Sequence, residues 1–150
     1  MHLREFFTDA TVKLPLSSLT GDQILLEMVA LLGVDERASE TLVKILRRRE
    51  ELGSTGVGRG IAIPHGRSLV VSRLRLAFGH HPAGVQYKAI DDRPVHNFFL
   101  IVAPPIEVSN QYLPVLGKIA QFAKDADIPE RLAKLTSPAD FFALLDEKGV

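Results

Sequence analysis

The run Phe98-Phe99-Leu100-Ile101-Val102-Ala103 constrains the fold more than any other feature of the chain. It is strand-sized, unbroken by any polar residue and rich in Phe, Ile and Val. An apolar segment of this kind cannot leave one face in water, so Val95 to Ala103 is predicted to be a central strand buried on both faces. Pro104-Pro105 closes it, and Asp91-Asp92-Arg93-Pro94 makes the turn that leads in. A second strand is predicted from Leu74, where Leu74, Leu76 and Phe78 alternate with Arg75, Ala77 and Gly79, a period of two that implies cover on at least one face. A strand buried on both sides needs a layer above and a layer below. The rest of the chain must supply them.

The flanks carry helical patterns. Thr20 can cap a first helix, with Gln23 placed to reach back as in a capping box and Gly33 placed to stop it. Between them Ile24, Met28, Leu31 and Leu32 share one face. A second helix is predicted from a cap at Asp35 through Ala38, Leu42, Leu46 and Arg49 to Gly53, which suits a left-handed position after the last turn. Near the C-terminus, Tyr112, Leu113, Leu116, Ile119, Ala120 and Ala123 fall on one face, with Pro114 near the start of that helix because an interior proline would break it. Asp127 with Glu130, and Ser137-Pro138 with Asp140, mark two further helix starts. The prediction is an α/β fold: a single domain over residues 1–150, with a mixed β-sheet flanked by helices on both faces.

Composition limits what such a domain can do. The 18 Lys+Arg balance 18 Asp+Glu, which argues against duplex nucleic acid as a partner, since that role needs clustered cations. With no cysteine among 150 residues there is no disulfide framework, thiolate metal site or cysteine nucleophile. The N-terminus carries an early acid and no long apolar core, and no later segment is long enough to insert in a membrane, so the expected location is the cytoplasm.

Chemistry is expected where the second helix ends. Gly53-Ser54-Thr55-Gly56-Val57-Gly58-Arg59-Gly60 holds four glycines in eight residues, and neither helix nor strand is expected to persist there. Ile61-Ala62-Ile63 then reads as a short β segment ended by Pro64. Glycines can let successive amides converge on an anion, and the hydroxyls of Ser54 and Thr55 add donors. Arg49 and Arg67 can supply positive charge. His65 can offer one ring nitrogen as a nucleophile while a neighbour holds the other, its direction fixed by Pro64 and Gly66. The loop is not a P-loop, because Arg59-Gly60 stands where Lys and Ser/Thr are needed. It is not a dinucleotide fingerprint either, because the glycine spacing is wrong and a helix precedes it. His80-His81 and His96 give no metal-binding spacing, since neighbours on a strand point to opposite faces.

The run Leu52-Gly53-Ser54-Thr55-Gly56-Val57-Gly58-Arg59-Gly60-Ile61-Ala62-Ile63-Pro64-His65-Gly66-Arg67 closely resembles the signature of the enzyme IIA proteins of the phosphoenolpyruvate-dependent phosphotransferase system, in their fructose/mannitol (type-2) and nitrogen-regulatory branch. The likeness extends to Ala89-Ile90-Asp91-Asp92-Arg93-Pro94-Val95 and the apolar strand beyond, covering the chain from about Leu19 onward. The Gly-Ser-Thr-Gly wording is most similar to the nitrogen-regulatory members. The resemblance implies the enzyme IIA mannitol/fructose-like fold and a phosphoryl carrier rather than a self-contained turnover enzyme. In that reading His65 accepts phosphate from an HPr-like histidine phosphocarrier, and Arg49 matches the arginine beside the active histidine. Gly53, Ser54, Thr55 and Gly56 match the phosphate-side loop, with Arg67 and Tyr112 as further phosphate-binding candidates. The implied partners are the HPr-like carrier and regulatory target proteins; no metal or organic cofactor is implied. One departure stands out: Tyr112-Leu113 occupies the place where the family usually has a second histidine. The alternatives are a sugar-transport enzyme IIA that passes phosphate to a IIB cysteine, and a binding module without phosphotransfer.

Overall fold

Thr20, Asp35 and Ser137 each accept a hydrogen bond from the amide three residues on, from Gln23 (3.2 Å), Ala38 (2.8 Å) and Asp140 (3.2 Å). These caps start α1 (Gly21–Ala30), α2 (Glu36–Glu51) and α5 (Pro138–Lys148) in a computed structural model that describes residues 1–150. The Gln23 side chain reaches back to the amide of Leu19 rather than that of Thr20, so the box closes one residue earlier than expected. α3 (Tyr112–Lys124) starts without a side-chain cap from its neighbour Gln111. Glu107 takes that role from five residues upstream, accepting from the Tyr112 amide at 2.9 Å. α4 (Ile128–Ala133) has Asp127 at its cap position, but the carboxylate is drawn away to the Lys148 ammonium at 2.7 Å.

The buried stripe of α3 differs from the predicted one. It is Tyr112, Val115, Ile119, Phe122 and Ala123, while Leu113 is exposed and Leu116 and Ala120 are only partly covered. The sheet takes in Val115 and Phe122, which rotates the inward face away from Leu113.

The predicted central strand is β6 (Val95–Ala103), and seven consecutive residues from Asn97 to Ala103 are buried. On one side it pairs antiparallel with β5 (Arg75–Val85), which runs beyond the predicted stretch through His80-His81. β5 is covered on both faces: Leu76 and Phe78 face one apolar cluster and Ala77 the other. A short β1 (Val12–Lys13), unmarked in the sequence, adds parallel to β5 at Phe78 and Gly79. Gly79 is required there, because a Cβ would lie 2.7 Å from the Leu16 methyls and 2.8 Å from the Met28 sulfur.

The other side of β6 holds the main departure from expectation. Gly56–Gly58 (β2), predicted as loop, forms an antiparallel hairpin with Ile61–Ala62 (β3), where a short β segment was predicted. Its two-residue turn, Arg59-Gly60, takes φ of 60° and 78°, the positive pair whose twist matches that of paired strands. Pro64 interrupts the next strand but does not end it. β3 and β4 (His65–Arg67) both pair parallel with β6 in one register, Ala62 with Phe98 and His65 with Ile101. Pro64 has no N–H to give, yet its carbonyl still accepts from the Ile101 amide at 3.0 Å, so the ladder survives. His65 is therefore a strand residue rather than a loop residue.

The result is one mixed sheet in the order β1-β5-β6-β3-β2, with β4 extending the β3 side. One face packs on α3, α4, α5 and the N-terminal segment, the other on α1 and α2. β4 has no partner beyond β6, so His65 stands at an open sheet edge near the start of α3 and the end of α2.

Candidate functional site: His65 at an open sheet edge

The His65 ring hydrogen-bonds through Nδ1 to the carbonyl of Ile63 at 2.7 Å. A carbonyl can only accept, so Nδ1 carries the proton and Nε2 keeps its lone pair in the neutral ring. The ring is half-buried, which leaves it reachable from solvent. Residues two apart on a strand share a face, so His65 and Arg67 project together while Gly66 turns toward α2. A Cβ on Gly66 would sit 3.2 Å from the Ile45 side chain, so glycine lets the helix come this close.

Arg67 donates to the Pro104 carbonyl at 2.9 Å, and its guanidinium lies 4.5 Å from the centroid of the Tyr112 ring. That ring is in turn 6.5 Å from the His65 ring. Burial pushes the Tyr112 phenol up, against the opposing pull of the Arg67 and then the Arg49 charge. Tyr112 thus stays a neutral hydrogen-bond donor through the physiological range, and its hydroxyl bonds to no protein group. Arg49, in the last turn of α2, donates from its guanidinium to the Gly53 carbonyl at 2.8 Å, and its charge is felt at the Tyr112 phenol. His65, Arg67 and Tyr112 are gathered from β4 and α3 to one edge.

The glycine loop is arranged differently from the predicted cradle. Ser54 donates its hydroxyl to the Tyr87 carbonyl at 2.8 Å and accepts from the Gly56 amide at 3.0 Å. Thr55 is buried, and it gives both its amide (2.8 Å) and its hydroxyl to the Glu50 carboxylate. Gly53 takes a φ of 148°, open to glycine, where the chain leaves α2. At Gly56 a Cβ would lie 2.7 Å from the Ala89 methyl. The donors of Ser54, Thr55 and Gly56 thus satisfy the loop itself rather than converging on an anion. These bonds fix the segment that leads from α2 into the hairpin.

Glu50 is the hub of that arrangement, and the sequence analysis did not single it out. It also accepts from the buried Tyr87 hydroxyl at 2.9 Å. A signal was present: Leu42, Leu46 and Glu50 are spaced by four, so Glu50 continues the buried stripe of α2. The carbonyls of Ile63 and Pro104 carry no sequence signal, because every residue has one.

His80, His81 and His96 bond separately, to the Asn97 side chain (2.6 Å), the Ser18 carbonyl (2.7 Å) and the His81 carbonyl (2.9 Å). None of them meets His65. A cleft of about 710 Å³ opens beside the loop, lined by Glu50, Ser54 and Tyr87 among others, and His65 does not line it. The imidazole instead stands at the sheet edge with an unpaired Nε2 and with Arg67 and Tyr112 beside it, an arrangement able to attack an electrophile and to pair with an anionic group.

The family model described as phosphoenolpyruvate-dependent sugar phosphotransferase system, EIIA 2, matches residues 5–148. A nitrogen regulatory protein of Bradyrhizobium diazoefficiens is 34% identical over 102 residues, which is 68% of this chain and 64% of that protein. The fructose-specific EIIABC component of Bacillus subtilis is 30% identical over 139 residues, 91% of this chain but 22% of that much longer protein. The chain thus spans less than two-thirds of either relative's length. Among solved structures, the nitrogen regulatory protein IIA-Ntr from Neisseria meningitidis superposes with a TM-score of 0.85 at 29% identity, over 94% of this chain and 97% of that one. IIA mannitol from Escherichia coli shares the fold, with a TM-score of 0.75 at 23% identity, covering 93% of this chain and 98% of that one. No helix here is long and apolar enough to cross a membrane. On its match across nearly the whole length, the chain belongs to the EIIA type-2 family of the phosphoenolpyruvate-dependent sugar phosphotransferase system.

Proposed function

We propose that this protein is a phosphohistidine carrier of the nitrogen-regulatory kind, which accepts a phosphoryl group on His65 from an HPr-like histidine phosphocarrier and signals through that group to partner proteins. The observation that carries the reading is the bond from His65 Nδ1–H to the Ile63 carbonyl at 2.7 Å. It leaves Nε2 as the attacking atom. As the Nε2 lone pair forms its bond to phosphorus, the P–N bond of the carrier's phosphoimidazole breaks and that electron pair returns to the carrier's nitrogen. Positive charge grows on the His65 ring and is relieved through Nδ1–H at the carbonyl. Arg67 and Tyr112, packed beside the His65 ring, and Arg49 at the end of α2 would supply the positioning and charge stabilisation that a loose transition state needs.

Phosphorylation would change the edge by up to about two negative charges, enough to alter which protein docks there. The regulatory reading draws on the similarity to nitrogen regulatory proteins in both sequence and structure. The similarity to fructose-specific components favours a second reading, in which the phosphoryl group passes on to a IIB cysteine.

Incubation with phosphoenolpyruvate, enzyme I and an HPr-type carrier, followed by intact mass measurement, tests the proposal. A gain of one phosphoryl group that disappears in His65→Ala is expected. No gain on the wild type would leave only a binding module. Onward transfer to a purified IIB protein would replace the regulatory reading with the transport one.

A further inference from the structure

At the opposite end of the β5–β6 pair from His65 lies a second polar site with a different chemistry. A cavity of about 260 Å³ is lined by Arg59, His80, His96 and Asn97, with Pro82 and Pro129 among its walls. It shares Arg59, Gly60, His96 and Pro129 with an adjoining opening of about 480 Å³ that adds Arg93. No carboxylate lines either one. Asn97 pairs across the strands with His80, and it lies four residues along β6 from Ile101, the partner of His65. At roughly 3.3 Å per residue, that places the two sites about 13 Å apart.

The hydrogen-bond inventory at this cavity is incomplete in a specific way. Asn97 is 3% exposed, and its oxygen accepts from His80 Nδ1–H at 2.6 Å, so its NH₂ group is left without a protein partner. His80 is itself 7% exposed, and with Nδ1 protonated its Nε2 is a bare acceptor. His96 is in the same state, since Nδ1–H donates to the His81 carbonyl at 2.9 Å and Nε2 has no partner. The two rings are 6.5 Å apart. No fully buried side-chain nitrogen or oxygen in the protein lacks a partner, so these three unpaired groups keep some access to solvent, and all three residues line the cavity. Arg59 gives three of its N–H groups to the carbonyls of Ala123, Asp125 and Ala126, and two of its five donors remain. Burial holds the His80 ring below the usual imidazole range, which favours its neutral form in the free protein.

The cavity therefore combines cationic and amide donors with two imidazole acceptors. A metal cation would meet the Arg59 guanidinium, with Arg93 at the adjoining opening, and no carboxylate. A fully ionised anion would satisfy Arg59 and Asn97 but turn lone pairs toward His80 and His96. We propose that this cavity binds a small oxyanion carrying its own hydroxyl proton, with hydrogen phosphate as the type. The oxyanion's P–OH would donate to an imidazole Nε2, and its remaining oxygens would accept from the Asn97 NH₂ and the arginines.

The test uses inorganic phosphate and sulfate, which match in size and charge but differ in that sulfate has no proton to donate at pH 7. The whole chain is titrated by NMR while the side-chain signals of Asn97, His80 and His96 are followed, with His65 as a separate reporter. Phosphate should shift the Asn97 NH₂ and both imidazoles saturably, and sulfate should bind at least about tenfold more weakly because it leaves unpaired the imidazole that the P–OH would satisfy. Arg93→Ala, at an exposed position, should weaken phosphate binding several-fold, and Asn97→Asp should abolish it. Should Asn97→Asp fail to fold, Arg93→Ala and the phosphate-to-sulfate ratio still decide the matter. The proposal is overturned by equal affinity for the two anions, by phosphate affinity unchanged in Arg93→Ala, or by no shift at these residues at about 50 mM phosphate, where even a millimolar Kd saturates. None of these outcomes depends on whether His65 accepts a phosphoryl group.

Discussion

Glu50→Ala is the most informative single change in the loop that supports His65. It removes the acceptor for three groups at once: the Thr55 amide, the Thr55 hydroxyl and the Tyr87 hydroxyl. Thr55 is 5% and Tyr87 8% exposed, so neither can turn to bulk water without opening the loop. A buried donor left unpaired costs about 1–3 kcal/mol. The cleft of about 710 Å³ beside Glu50 admits water, which favours the lower end for each group and puts the total near 3 kcal/mol. For a domain of this size that corresponds to a fall in Tm of roughly 6–12 °C. Urea unfolding of wild type, Glu50→Ala, Tyr87→Phe and the double variant measures both the loss and its origin. Tyr87→Phe deletes one of the orphaned donors, so the double variant should be about 1 kcal/mol more stable than the sum of the single losses predicts. Glu51→Ala, next along the helix and exposed, should change stability by less than about 0.5 kcal/mol. A Glu50→Ala loss below about 1 kcal/mol, or strict additivity with Tyr87→Phe, would show that the carboxylate is not the hub described here.

Other predictions concern pH, the phenol and a glycine. Glu27 accepts from the Ser17 and Ser18 amides and pairs with Lys13 at 2.8 Å, and although burial opposes the shift these partners hold its pKa down at about 2 from 4.5. Because the folded value is the lower one, the stabilisation is complete above pH 4.5 and is lost as pH falls toward 2; Glu27→Gln should cost up to about 3 kcal/mol at pH 7 and almost nothing near pH 2. His80 is also lowered, chiefly by burial, but it is a base, so the folded state binds fewer protons than the unfolded one and stability should decline as pH drops through 6.5; a His80 variant that still folds should flatten that part of a thermal-melt series against pH. Tyr112→Phe keeps the ring under Arg67 and removes only the hydroxyl, so phosphorylation of His65 should slow by about tenfold with no loss in Tm, as read by quench-flow and melting, and an unchanged rate would remove the hydroxyl from the site. Gly56→Ala puts a methyl 2.7 Å from the Ala89 side chain and should destabilise by about 1–3 kcal/mol in urea unfolding.

The apolar run from Phe98 to Ala103 and the caps at Thr20, Asp35 and Ser137 determined the layered architecture on their own, because burial on two faces and an orphaned helix amide each admit few solutions. The glycine-rich run with Pro64-His65-Gly66 marked the region of the candidate site in the same way. Tertiary structure alone decided that Gly56–Ala62 pairs as a hairpin, that β4 resumes the β3 register beyond Pro64, and that Ser54 and Thr55 turn their donors inward. Those outcomes depend on partners distant in sequence, such as Tyr87, Ala89 and Ile101, or on backbone carbonyls such as that of Ile63, which no residue name reveals. The side chains at the site could be read from the chain. Which of their atoms remained free was settled only once the fold had assigned every other hydrogen bond.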